Sequence, residues 1–200
     1  MTFTDILQIP VKHTEDQILT LSGVTWEDYQ NLAAEENGYL VSYYNNTITI
    51  VSPGRNHERL AEIIGLVINA YCLKYQIKVW ALGSKDVKKE SLSGKQPDKS
   101  FCFESEKEIP DLAIEINYTS GSVDDLEKYR LAGVTEVWMW QNEQFIFYSL
   151  VDDNYLLVAQ SKALERISSQ LINKIAGLAL GAADDLEIQR EFGESLWLET

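Results

Sequence analysis

Asp98, Asp111 and Glu115, in the neighbouring segments "QPDKSFCFE" and "IPDLAIEIN", are the residues of this chain best placed to do chemistry. With "ESEKEI" as the connecting loop, the segments form antiparallel strands in which Phe103 opposes Pro110 and Asp98 lies across from Glu115. Side chains alternate along a strand, so Asp98, Ser100, Asp111, Ala113, Glu115 and Asn117 share one face. Phe101, Phe103, Leu112, Ile114 and Ile116 share the other, which must meet the main core. Opposed carboxylates repel each other unless a cation lies between them, one is protonated, or the face is wet. The pattern alone leaves two readings open, an ordinary solvated hairpin face and a pair that holds a metal ion. A loop assigned one residue differently would dissolve the apposition.

The surrounding elements have to position that pair. "VTWEDYQNLAAEENG" predicts a short helix, opened by a capping-box-like Thr25 and Asp28, striped by Trp26, Tyr29, Leu32 and Ala33, and ended by Gly38. "YLVSYYNNTITIVSPG" predicts a β-hairpin turning at Asn45-Asn46, because Asn tolerates positive φ. "NHERLAEIIGLVINAYCLKY" predicts the strongest helix, with Asn56 as N-cap and Leu60, Ile63, Ile64, Val67, Ile68 and Tyr71 at helical spacing. A strand "IKVWALG", a polar loop "SKDVKKESLSGKQ" and the carboxylate-bearing strand pair follow. A helix over roughly 122–132 starts with Ser122 and Asp125 as a capping box. Strands are expected at "VTEVWMW", "QFIFYSL" and "NYLLVAQ", then a helix near 164–178 striped by Leu164, Ile167, Leu171, Ile175 and Leu178. This order predicts an α/β (α+β) domain, with one sheet flanked by helices rather than a repeating βαβ barrel.

At 200 residues the chain is one domain's worth, with 45% apolar and 10% aromatic content. The expected organisation is an N-terminal extension (1–20), a core domain (21–180) and an acidic C-terminal tail (181–200). No apolar run is long enough for a spanning helix and the start lacks the pattern of a signal peptide, so a cytoplasmic protein without a membrane partner is expected. Cys72 and Cys102 read as reduced core residues. The 17 basic and 31 acidic residues give a net charge of −14, which repels phosphate backbones at long range but leaves local recognition open.

"QPDKSFCFE" with "PDLAIEIN" resembles the signature of the PD-(D/E)xK nuclease superfamily, with Asn117 where that signature has lysine. The ordered blocks "IVSPGRNHERL", "GSKDVKKESLSGKQPDKSFCF", "PDLAIEINYTSGSVDDLEKYRLAGVTEVWMW" and "QFIFYSL" resemble a large bacterial family of restriction-endonuclease-like proteins of unknown function. The resemblance runs from about residue 20 to 160. It implies a restriction-endonuclease-like core with a central mixed sheet, and a metal-dependent endonuclease hydrolysing phosphodiester bonds, in DNA first of all. Asp98 and Glu115 would then ligate Mg²⁺ or Mn²⁺, ions suited to hard oxygen donors. Glu58 matches the acidic member of the family's His-Glu pair and would reach the metal directly or through water, with His57 either a hydrogen-bond donor to the metal's ligands or a surface histidine.

The departures concern lysine. The family's helical lysine corresponds to Asp125 here, which leaves Lys128, one turn on, as the provisional catalytic lysine or a solvated helix residue. Thr49 and Gln96 stand where acidic residues are expected, and Lys95 and Lys99 flank Asp98 as phosphate contacts or solvated loop residues. A catalytically degenerate nuclease fold acting as a binding or assembly module is therefore the alternative function. A homodimer is compatible with either, since cutting both DNA strands takes two sites or two events.

Overall fold

The computed structural model describes residues 15–35, 38–117 and 123–198. Their elements run β1 (Gln17–Ser22), α1 (Trp26–Ala33), β2 (Leu40–Tyr44), β3 (Thr47–Ser52), α2 (Arg55–Tyr75), β4 (Val79–Ala81), β5 (Val87–Lys89), β6 (Ser93–Lys95), β7 (Lys99–Phe103), β8 (Leu112–Ile116), α3 (Val123–Ala132), β9 (Glu136–Gln141), β10 (Gln144–Val151), β11 (Asn154–Val158), α4 (Ser169–Leu180) and α5 (Asp185–Leu198).

The strands form two sheets where one was expected. The first is antiparallel, ordered β1-β3-β2-β6-β5; the second is mixed, ordered β11-β10-β9-β8-β7-β4, with β8 and β9 parallel. The first sheet reaches five strands because the supposed polar loop 84–96 contributes β5 and β6, which extend the hairpin edge through Ser42–Lys95, Tyr43–Gly94 and Tyr44–Ser93 pairing. Three-residue strands rich in Lys, Ser and Gly carry no alternating apolar signal, so their pairing is imposed by the free edge of β2. Gly94 is required there: a Cβ would come within 2.3 Å of the Tyr29 ring, which packs between α1 and this sheet.

Several expectations hold. Thr25 and Asp28 make a reciprocal capping box for α1, and Asn45 and Asn46 turn the hairpin with φ of 47° and 57°. The β7–β8 register pairs Lys99 with Ile114, Ser100 with Ala113 and Phe101 with Leu112, which carries Asp98 across from Glu115 as predicted. Phe101, Phe103, Leu112, Ile114 and Ile116 join the main core with α2, α4 and α5. The carboxylate face is not solvated, however. Ser100 and Ala113 are fully buried on it, and Ala113 packs with Val87, Tyr129, Val137 and Met139 from β5, α3 and β9.

Other boundaries move. The N-cap of α2 is Gly54 rather than the exposed Asn56; a Cβ at Gly54 would lie 2.6 Å from backbone of Glu15, so the approach of that segment excludes a side chain there. The N-terminal boundary at 20 falls inside β1, which pairs along β3. The Ser122 cap lies outside the described residues. Helix α4 starts only after Ser168, whose side chain accepts from Leu171 N; Leu164 and Ile167 are buried from the preceding turn. Cys72 and Cys102 are buried and unbridged, and no helix among the described residues is long and apolar enough to cross a membrane.

The supposed acidic tail is helix α5, with Ile188, Phe192 and Leu196 at most 2% exposed in the main core. Its acidic residues fill the solvent face, which hid the apolar stripe beneath an acidic composition. Phe192→Ala is therefore expected to cost about 3–5 kcal/mol of stability, measured as a lower urea midpoint, whereas a free tail would show no change.

Candidate active site

The site lies where β6 of the first sheet faces β7, β8 and α3. Strand β8 is buried along its whole length, so Glu115 is cut off from bulk water and must be satisfied chiefly by protein groups. Lys95 Nζ donates to Glu115 Oε1 at 2.6 Å and the Tyr129 hydroxyl donates to Oε2 at 2.6 Å. Asp98 is equally committed. His57 Nε2 lies 2.5 Å from Oδ1, and Ile116 N donates to Oδ2 at 2.6 Å.

The other ring nitrogen of His57, Nδ1, is 2.9 Å from Asp16 Oδ2. Carboxylates only accept, so an imidazole bonded to two of them carries both protons. Asp16 is held in turn by Gly54 N, which donates to its Oδ1 at 2.7 Å. A second layer surrounds Lys128, which donates to Asp125 Oδ1 at 3.0 Å and Ser42 Oγ at 3.1 Å; Asp125 lies 3.5 Å from Lys95 and accepts from Asn117 Nδ2 at 3.3 Å.

The electrostatics follow from burial and this pairing. Burial alone would lower His57, but the charge of Asp98 and the hydrogen bonds to Asp16 and Asp98 outweigh it and raise it to about 10. Burial would likewise neutralise Lys95, yet Asp125, Glu115 and Asp98 hold it charged. Burial pushes the Glu115 carboxyl up, against the pull of Lys95 and with the help of Asp98 and Asp125. Asp125 stays at about 2 because Lys95 and Lys128 overcome its own burial. Burial lowers Lys128 despite Asp125 beside it.

Of the residues singled out in the sequence, Asp98 and Glu115 come together as expected. Glu58 does not join them: it is exposed, on the rim of a cleft of about 380 Å³ also lined by His57, Gln96, Asp98 and Lys99. Among the described residues no three His, Cys, Asp or Glu side chains converge as a ready-made metal cage. Lys128 is buried rather than solvated but makes no hydrogen bond to Asp98 or Glu115. His57 is 3% exposed, which removes the surface-histidine reading.

Lys95 is the residue the loop reading misplaced, since only its place on β6 turns it inward. Tyr129 and Asp16 carried no sequence signal. Gln96 has a structural account: it bonds Val41 N and Ala33 O, tying β2 to α1. Asp111 is a strand-entry residue, accepting from Phe103 N and Lys107. Lys99 pairs with Glu62.

Because His57 titrates at about 10 in the fold against 6.5 unperturbed, its contribution is full below pH 6.5 and is lost as pH rises through 10. Urea denaturation at pH 6, 8 and 10 should show a loss on the order of a few kcal/mol across that range, and His57→Gln should flatten it. Equal pH slopes in both proteins would contradict this account of the His57 bridge.

Known proteins bear on this site through family and fold. No curated protein matches the chain. The solved structure of "a putative nuclease belonging to DUF820" from Anabaena variabilis is similar, with a TM-score of 0.51 and 16% identity, over 84% of this chain and 99% of that one. At that identity the likeness speaks for the fold alone. The model of the Uma2 family, described as "Putative restriction endonuclease", matches residues 26–181. That span takes in every helix from α1 to α4, every strand except β1 and every site residue except Asp16, and the chain belongs to the Uma2 family.

Proposed function

We propose that this protein is a Mg²⁺- or Mn²⁺-dependent endonuclease that hydrolyses phosphodiester bonds, with DNA as its first substrate, on a restriction-endonuclease-like core. The observation that carries the reading is the buried Asp98–Glu115 pair, from the entry to β7 and from β8, with Asp98 also lining an open cleft. The donor set suits the ion in kind. Mg²⁺ is ordinarily held by one or two carboxylates, with water and substrate phosphate completing its shell, so a full protein cage is not needed. Asp98 and Glu115 would hold the metal, with Glu58 reaching it through water from the rim. When bound, the metal supplies Lewis-acid polarisation of the phosphodiester and a more acidic water.

The chain's own residues do the positioning. His57, clamped by Asp16, orients one oxygen of Asp98, and Ile116 N fixes the other. Tyr129 sets the rotamer of Glu115. Lys128, anchored by Asp125 and Ser42, adds positive charge behind the pair, where it offsets charge developing on the phosphate. The strand would enter the cleft that Glu58 and Lys99 line, so a chain of net charge −14 would meet nucleic acid through a local contact rather than a basic face.

The alternative, a nuclease fold without chemistry that serves binding or assembly, is favoured by one observation: both family lysine positions are filled by other residues, Asn117 and Asp125, which bond each other. Purified protein should nick supercoiled plasmid with Mn²⁺. Glu115→Ala should abolish nicking, and His57→Gln should lower it about 10–100-fold, as loss of an outer-shell partner does. No cleavage of DNA or RNA with Mg²⁺ or Mn²⁺ would sink the hydrolase reading in favour of the alternative.

A further inference from the structure

Opposed carboxylates on one strand pair demand a cation, and the fold already contains one. Lys95 is 6% exposed, and its ammonium lies 2.6 Å from Glu115 and 3.5 Å from Asp125. It arrives from the first sheet, so the contact also ties that sheet to β8 of the second. Beside it is a cavity of about 10 Å³, bounded by Lys95, Asp98, Glu115, His57 and Asn117.

That is room for roughly one water molecule. It is too little for an octahedral Mg²⁺ that keeps several of its waters. The charges point the same way. Four buried or nearly buried carboxylates (Asp16, Asp98, Glu115 and Asp125) face the three cations His57, Lys95 and Lys128. A divalent ion added beside an unmoved Lys95 would leave the cluster with excess positive charge in a dry interior, where unbalanced charge is costly.

We infer that Lys95 is the resident counter-cation of the Asp98–Glu115 pair, and that a divalent cation enters only by displacing its ammonium from Glu115. This inference rests on the metal-dependent reading of the same site and adds a competition to it. Lys95 is thus a positioning residue: it keeps the two sheets joined and the acidic pair neutralised before the metal arrives, and it opposes metal binding. With Gln96 clamped to β2 and α1 and Lys95 itself paired between Ser42 and Val87, the backbone is fixed, so the displacement falls to the lysine side chain.

The test is calorimetric titration with Mn²⁺ and thermal unfolding with Mn²⁺ or a chelator, on the full chain. Lys95→Met should melt lower than wild type in chelator, bind Mn²⁺ at least about ten-fold more tightly, a change of the size outer-shell substitutions bring, and gain more melting temperature from it. Lys95→Met/Glu115→Gln should recover melting temperature in chelator and lose the Mn²⁺ response. Lys95→Gln keeps a donor for Glu115 but no charge, and gives the same comparison should the methionine variant fail to fold. If wild type binds Mn²⁺ and the lysine variants bind it no more tightly, the competition is overturned while the metal site stands. If no variant binds Mn²⁺, both fall.

Discussion

Burying Asp98, at the entry to β7, beside Glu115 on β8 commits this protein to bringing positive charge from elsewhere in the chain. Neither Asp98 nor Glu115 can be left alone in a dry interior, since an unpaired buried charge is costly. The solution uses both flanking layers. Lys95 crosses from the first sheet to Glu115, and His57 comes from the start of α2 to Asp98. The two sheets and the longest helix are therefore joined at the point where the acidic residues sit.

Small local features make sense once that requirement is recognised. Strands β5 and β6 are short and polar, yet β6 has to run alongside β2 for Lys95 to turn inward. Gly94 lets the Tyr29 ring close over that strand, and Gly54 lets the segment before β1 come near enough for Asp16 to reach His57. Tyr129 buries an aromatic ring and spends its hydroxyl on Glu115, combining packing with a polar handle. Even Asn117 is drawn into the network through Asp125.

Legibility followed distance along the chain. The Thr25 capping box, the Asn45-Asn46 turn and the stripe of α2 are written within a few residues each, and they were readable for that reason. The β7–β8 register could be read because one loop of definite length joins the strands, and with it came the apposition of Asp98 and Glu115. The errors arose where neighbours far away in sequence decide. Loop 84–96 became two strands because β2 offered an edge, and residues 185–198 became a core helix because α2 and α4 offered an apolar surface.

The sequence by itself determined which residues are acidic, where the strands near them lie, and that two carboxylates share a face where a cation, a proton or water must separate their charges. These are consequences of side-chain alternation and of a short connection, both local. Only the tertiary structure decided what answers that need. Lys95 is 20 residues from Glu115, and His57 is 41 from both Asp16 and Asp98. No periodicity links positions so far apart; packing of the two sheets and α2 brings them together. The face that alternation marked as polar thereby became an interior, where desolvation makes every one of those charges count.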